Sequence, residues 1–264
     1  MGGWEAITVL SYLRNTFYQA YYLFLREMRI RYRRTALNVI WVVIPTMTAS
    51  FGAVYASRHF NVHGSHTAIY PLKIFFGTML IQLFTDSFSS AQQISMRCRQ
   101  FLRFIPFAHE SMLVTGVFFA LVNFLIKSVF LVVSLFIFGV TPSLLALFYL
   151  LPVICLLCLL GISMAAITIP LGYVYWDVRY AHGYIVMAAL LATPVLYPVA
   201  TTGLMGSVHS FNLLTPLILL ARDSFLGLPY DPLSCLIVTP GILSFGFLSL
   251  VYFHRAMPLG IRHI

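Results

Sequence analysis

Hydrophobic positions in this chain gather into long, nearly unbroken runs rather than alternating stripes, and charged residues stand almost entirely between the runs. Runs over residues 36–57, 71–90, 113–139, 144–172, 183–199 and 235–253 approach or exceed the roughly 20 apolar residues that cross about 30 Å of hydrocarbon as a helix. They predict roughly six membrane spans. Residues 4–33 read differently. Phe17, Tyr21, Phe24 and Met28 recur at helical spacing opposite Gln19, Arg26, Arg29 and Arg33, which predicts an amphipathic helix lying in the interface, too polar to cross. Its apolar patch at 20–25 is short and lacks a small-residue cleavage site, so it is not expected to act as a signal peptide.

The segment 200–234 is too long for a turn and too apolar for an exposed loop, with Phe211, Leu213, Leu214, Leu217 and Leu220. It is expected to form short re-entrant helices broken at Pro216 and Pro229, an arrangement tolerated where protein covers the freed backbone groups and suited to an outer gate. No heptad run, repeat or low-complexity tract interrupts the pattern.

Composition sharpens this picture. Of 264 residues 60% are hydrophobic and only 9% charged, with a mean hydropathy of +0.91, against about 25% charged residues in soluble domains. So few ionisable side chains cannot cover a water-facing surface of this size, and lipid is the solvent for most of it. The formal charge of +9 would suit nucleic acid, but its placement does not: the arginines cluster beside the first span, where they orient a membrane protein and meet anionic lipid headgroups. With the N-terminus inside, twelve basic residues (Arg14, Arg26, Arg29, Arg31, Arg33, Arg34, Arg97, Arg99, Arg103, Arg179, Arg255 and Arg262) fall on the cytoplasmic side. Three, Arg58, Lys73 and Arg222, fall outside. Both termini are therefore expected in the cytoplasm.

Candidate chemistry is sparse. The acids Glu5, Glu27, Asp86, Glu110, Asp177, Asp223 and Asp231 are scattered over both expected faces, without the pairing an intramembrane glycan-modifying transferase would need. Cys155 and Cys158 form a C-x-x-C within an apolar run and read as packing residues. His59, His63 and His66 lie in the first outer loop, where Gly64 argues against the helix that would align two of them on a metal. Lys127 is the conspicuous charge, because it sits near the middle of the third span, where a cation costs at least about 2.5–3.5 kcal/mol to insert. It either pairs within the protein or faces a hydrated conduit. Asp86 is the nearest acid by topology, but about 12 Å of helix rise is expected to separate the two. An ion-coupled secondary transporter would place acidic coupling groups at this depth, and the sequence offers only Lys127 there. The sixteen basic residues include two lysines, Lys73 and Lys127, and neither stands in a phosphate-binding G-x-x-x-x-G-K-[ST] loop. Any ATP-driven work must then come from a partner.

The motifs resemble those of ABC-2 type polysaccharide and polyol-phosphate export permeases. The stretch 26–41, REMRIRYRRTALNVIW, followed by Pro45, is similar to the family's R-D-x-x-x-R-Y-x-x-[ST]-x-L-G-x-x-W-x-x-x-x-P, with Glu27 for Asp and Asn38 for Gly. Residues 106–110 resemble its F-P-x-E element, with Ile105 for Phe, and Tyr175, Trp176, Asp177 and Val178 its F-R-D-[IV]. Residues 193–197, TPVLY, match T-P-[VI]-x-[YF]; Asn212 to Pro216, then Arg222, Asp223 and Gly227, resemble N-P-L-[TS]-P and R-x-x-x-x-G. The short loops look closest to Gram-negative capsular exporters, including Vi-like ones.

The resemblance implies an all-α polytopic fold, a single ABC-2 type transmembrane domain over 1–264. Its parts would be a cytoplasmic interfacial helix (1–35), five spans (36–199), an outer re-entrant segment (200–234), a last span (235–253) and a cytoplasmic tail (254–264). It implies a homodimer with two ABC ATPase subunits that bind ATP and Mg, no cofactor on this chain, and periplasmic adaptor and outer-membrane partners. Arg99, Arg103, Pro106 and Glu110 would couple to the ATPase. Arg29, Arg31, Tyr32 and Trp41 would belong to the segment leading into the membrane, and Lys127, Tyr197, Asn212, Pro216, Arg222 and Asp223 to the channel or its gate.

Overall fold

The computed structural model describes residues 2–33, 38–59, 69–99, 108–142, 144–197 and 203–262, and these form nine helices and no strand. In order they are α1 (Gly2–Arg33), α2 (Asn38–His59), α3 (Tyr70–Cys98), α4 (Glu110–Phe138), α5 (Leu144–Val174), α6 (Asp177–Ala192), α7 (Gly203–Phe211), α8 (Leu214–Phe225) and α9 (Pro232–Arg262). Arg103, Pro106, His63 and His66 lie outside the described residues, as does the side chain of Tyr32.

Three helices, within α4, α5 and α9, are long and apolar enough to cross a membrane, and this is a membrane protein. Their outward faces carry Phe136, Phe148, Leu236 and Phe247, all strongly exposed, as a lipid-facing surface requires. The apolar helices over 40–55 and 180–192 are shorter.

The core is organised around α3, which packs against α2, α4, α5 and α8, while α5 holds α9 and α4 holds α1. Small residues set how closely these helices meet. A Cβ on Gly116 would lie 2.8 Å from the backbone nitrogen of Ala91, and one on Gly161 would lie 2.7 Å from the carbonyl oxygen of Phe84. Glycine at these two sites lets α4 and α5 touch α3 backbone to backbone. Phe76, Met79, Leu80, Ile81 and Phe88 fill the space around α3 and are all but inaccessible.

Helix ends follow local chemistry. Gly139 adopts φ 66° and stops α4, with its N–H and that of Val140 closing on the last-turn carbonyls of Phe136 and Leu135. Gly227, at φ 68°, ends α8 in the same manner. Thr193 is extended at φ −100° and ψ 128° because it precedes Pro194, whose ring disfavours helical backbone in the residue before it. α6 therefore ends at Ala192, short of the expected span end at 199. α9 runs from Pro232 to Arg262 without a break, so the stretch expected as a tail after 253 is helical through Arg262.

One expectation about the helix breaks is corrected. The break in the 200–234 segment lies at Asn212 and Leu213, not at Pro216. Pro216 is the third residue of α8, where its missing N–H costs nothing because first-turn donors have no intrahelical partner. The side chain of Asn212 makes the break, its Oδ1 accepting from the N–H of Leu214 at 3.0 Å. On α1 the residues packed against the protein stand one position before the apolar stripe. Thr16, Ala20, Leu23 and Glu27 are buried, while Phe17 and Tyr21 are about half exposed. Ala20 and Thr16 are small enough to admit α4, whose Thr115 hydroxyl donates to the Ala20 carbonyl at 3.2 Å.

Candidate functional site

Polar side chains, which are few in this chain, collect at three levels along α3: a joint at the Glu110 end, a pair partway along, and a clamp at the Arg222 end. Lys73 and Arg97, which take part at the two extremes, stand about 36 Å apart along the helix.

At the Glu110 end the carboxylate of Glu110, the first residue of α4, receives the Tyr12 hydroxyl at 2.7 Å from α1 and meets Nδ1 of His254 from α9 at 2.8 Å. One carboxylate thus joins three helices. Tyr12 has its pKa pushed up to about 12, by burial first and then by donating to this anion. Gln19 accepts from the N–H of Ala108 at 2.9 Å, fixing α1 to the residues that enter α4. Next to them burial holds His109 below the usual imidazole range. Glu27, 1% exposed, is paired with Arg97 of α3. Arg99 lies over the rings of Tyr173 and Trp176, at 5.9 and 5.7 Å, in the range of cation–π attraction. The Tyr173 hydroxyl in turn meets Ser95 Oγ at 2.5 Å, so the end of α3 is bound to the α5–α6 turn.

Within the resembling segment at 26–41, Arg31 reaches Gln93 at 3.5 Å and sets its guanidinium 4.4 Å over the Phe119 ring. Arg29 and Trp41 are exposed and do not join either the joint or the clamp.

Partway along α3, Nζ of Lys127 lies 3.2 Å from Oδ2 of Asp86, and Nδ2 of Asn123 donates to the same oxygen at 3.0 Å. Lys127 is 3% exposed. The expectation that these groups stand too far apart is corrected. Ala91 faces Gly116 across the antiparallel α3–α4 pair, which sets Asp86 level with residue 121 and leaves Lys127 about 9 Å further along. Side chains lean toward the N-terminus of their own helix. In an antiparallel pair those N-termini lie at opposite ends, so carboxylate and ammonium lean toward each other and close the gap. Counting Cα rise alone overstates it. Lys127 is a buried, paired residue.

At the Arg222 end the motif residues converge. Arg222, 3% exposed, holds Asp223 through Nε and Nη2 at 2.8 and 3.2 Å and reaches the Pro194 carbonyl at 3.4 Å. Lys73 of α3 adds its ammonium 3.8 Å from Asp223. Asn212 donates to the Ala192 carbonyl at 3.1 Å and to Thr193 Oγ1 at 3.0 Å while capping α8, and so ties the end of α6 to the start of α8. Tyr197 donates to the Leu191 carbonyl, and its ring stacks on His209 at 5.6 Å. Val195 is buried against Gly77, where an added Cβ would meet it at 2.9 Å. Pro216 borders a cavity beside this clamp.

Sequence reasoning missed Tyr12, Gln19, His254, Asn123 and His209. Glu27 carried a signal, as an acid among arginines on an amphipathic helix; the others carried none within reach of a local pattern. The chain matches no protein-family model, and no curated protein matches it.

Proposed function

We propose that this chain is the permease subunit of an ATP-driven exporter that moves polysaccharide, of the lipid-linked capsular kind, across the bacterial inner membrane. It has roughly six spans and both termini in the cytoplasm, works as a homodimer, and performs no hydrolysis itself. Two ABC ATPase subunits supply the stroke, and periplasmic adaptor and outer-membrane proteins receive the polymer.

One observation carries this reading. The residues singled out for coupling and for gating do not scatter; most of those described fall into two bonded joints at opposite ends of a single buried helix. Glu110 and Arg99 fasten α1, α4, α9 and the α5–α6 turn near Arg97 of α3. Tyr197, Asn212, Arg222 and Asp223 fasten α6, α7 and α8 near Lys73 of the same helix. A push on the segment preceding Glu110 moves α1, α4 and α9 together, and α3, in close backbone contact with α4 and α5, transmits it to the clamp. Helices packed this tightly shift as rigid pieces between discrete arrangements.

Co-expression with a neighbouring ATPase tests the proposal. Surface glycan should appear with the wild-type ATPase, and glycan should accumulate inside when the ATPase binds but cannot hydrolyse ATP. Equal surface glycan in both strains would rule it out.

A second reading, an ion-coupled carrier, draws on the Asp86, Asn123 and Lys127 cluster, since acidic groups buried within a bilayer often serve as coupling sites. Transport abolished by an uncoupler at constant ATP would favour it.

A further inference from the structure

Beside the clamp, α8 and the start of α9 diverge around a cavity of about 460 Å³, within the roughly 300–1,000 Å³ of small-molecule sites. We propose that this cavity is a binding site for an uncharged sugar unit. The inference rests on the export reading only for where such a sugar comes from.

Two rings border the cavity, and each is held by another ring behind it. Tyr230 meets Tyr149 edge to face at 5.7 Å, and His209 stacks on Tyr197, with its Nε2 3.2 Å from the Tyr197 hydroxyl. Their positions are set before any ligand arrives, which limits the entropy lost on binding. Between them stand the apolar side chains of Leu219, Leu220 and Ile237. Ring faces and aliphatic walls suit the C–H faces of a pyranose.

The polar groups in the lining are acceptors held in place. Asp223 is gripped by Arg222, and Asp231 accepts from the N–H of Leu233 at 3.0 Å and from the Ser234 hydroxyl at 2.6 Å. A carboxylate has about four lone-pair sites, so both retain capacity for hydroxyl donors.

Charge selects the ligand class. Among the described residues neither lysine nor arginine lines the cavity, and two carboxylates do. A uronate or phosphate would meet the Asp231 carboxylate, while the nearest cations, Arg222 and Lys73, are engaged with Asp223; neutral hydroxyls would find acceptors. The site therefore reads a neutral sugar even if charged residues occur elsewhere in the polymer.

The test uses the full chain, without ATPase, in nanodiscs free of glycosidic detergent, with maltose and a disaccharide ending in glucuronic acid as probes. Calorimetry and saturation-transfer NMR should detect maltose and not the acidic probe. Tyr230→Ala and the near-isosteric Asp231→Asn should each weaken maltose roughly fivefold, with helical circular dichroism unchanged. No maltose binding, preference for the acidic probe, or equal maltose affinity in both variants and wild type would overturn the site. These outcomes are independent of export: a failed binding test leaves ATP-driven export standing, and failed export with intact binding leaves the site standing.

Discussion

Removing the carboxylate of Asp86 should cost more than almost any other single change within the bilayer. Lys127 Nζ is 3.2 Å from Asp86 and 3% of the residue is exposed. At an effective dielectric of about 20, charges at that distance attract by roughly 5 kcal/mol before desolvation is counted. Asp86→Ala leaves the ammonium buried and unpaired, a situation that costs about 3–5 kcal/mol. The Asp86 side chain is 27% exposed, so the pair is not fully enclosed by protein and the lower figure, about 3 kcal/mol, is expected. Asp86→Leu combined with Lys127→Leu removes both charges and should recover most of the loss. The assay is a double-mutant cycle on unfolding in mixed micelles, with transport measured alongside. A coupling energy below about 0.5 kcal/mol, or a double variant as unstable as the worse single one, would refute the pairing. A Lys127→Met variant that folds but fails to export only acidic glycan would return Lys127 to a conduit wall.

Three further outcomes follow from the geometry. Gly116→Val should separate α3 from α4, since its Cβ alone would meet the Ala91 backbone at 2.8 Å; a loss of about 2 kcal/mol or more is expected in the same unfolding assay. Arg222→Lys keeps the charge but cannot hold both Asp223 oxygens and the Pro194 carbonyl, so it should lose roughly 2 kcal/mol and impair export, and wild-type behaviour would argue against a clamp. Burial depresses the His109 pKa, so the unfolded chain binds the proton more readily. Stability should be complete above about pH 6.5 and fall as pH drops from there toward the folded value, and His109→Gln should flatten that slope in amide exchange near Ala108.

How much of this was legible in the sequence depends on the range of the signal. Asn212, Thr193 and Gly227 act on backbone within a few residues, as a cap, a residue before proline, or a positive-φ helix stop, yet the apolar run through 199 and the proline at 216 outweigh these local signals and set the expected boundaries elsewhere. Long apolar runs located α4, α5 and α9 because hydropathy accumulates over a whole helix. The joint at Glu110 was only half visible: its acid lay in a motif, but Tyr12 and His254 stand 98 and 144 residues away, and no local pattern reports a contact of that separation. Asp86 and Lys127 are both conspicuous in the sequence, but helix rise alone sets them too far apart, and the lean of the side chains that closes the gap is a property of the packed pair. Pro216 attracted the break that belongs to Asn212, since proline disrupts a helix interior but not a first turn.

The most direct test reconstitutes the purified chain in proteoliposomes, with and without its ATPase partner, and follows glycan crossing the bilayer. Crossing should require both the partner and hydrolysable ATP, and should be indifferent to an imposed proton or sodium gradient. Glycan movement by this polypeptide alone, powered by such a gradient, would contradict the account.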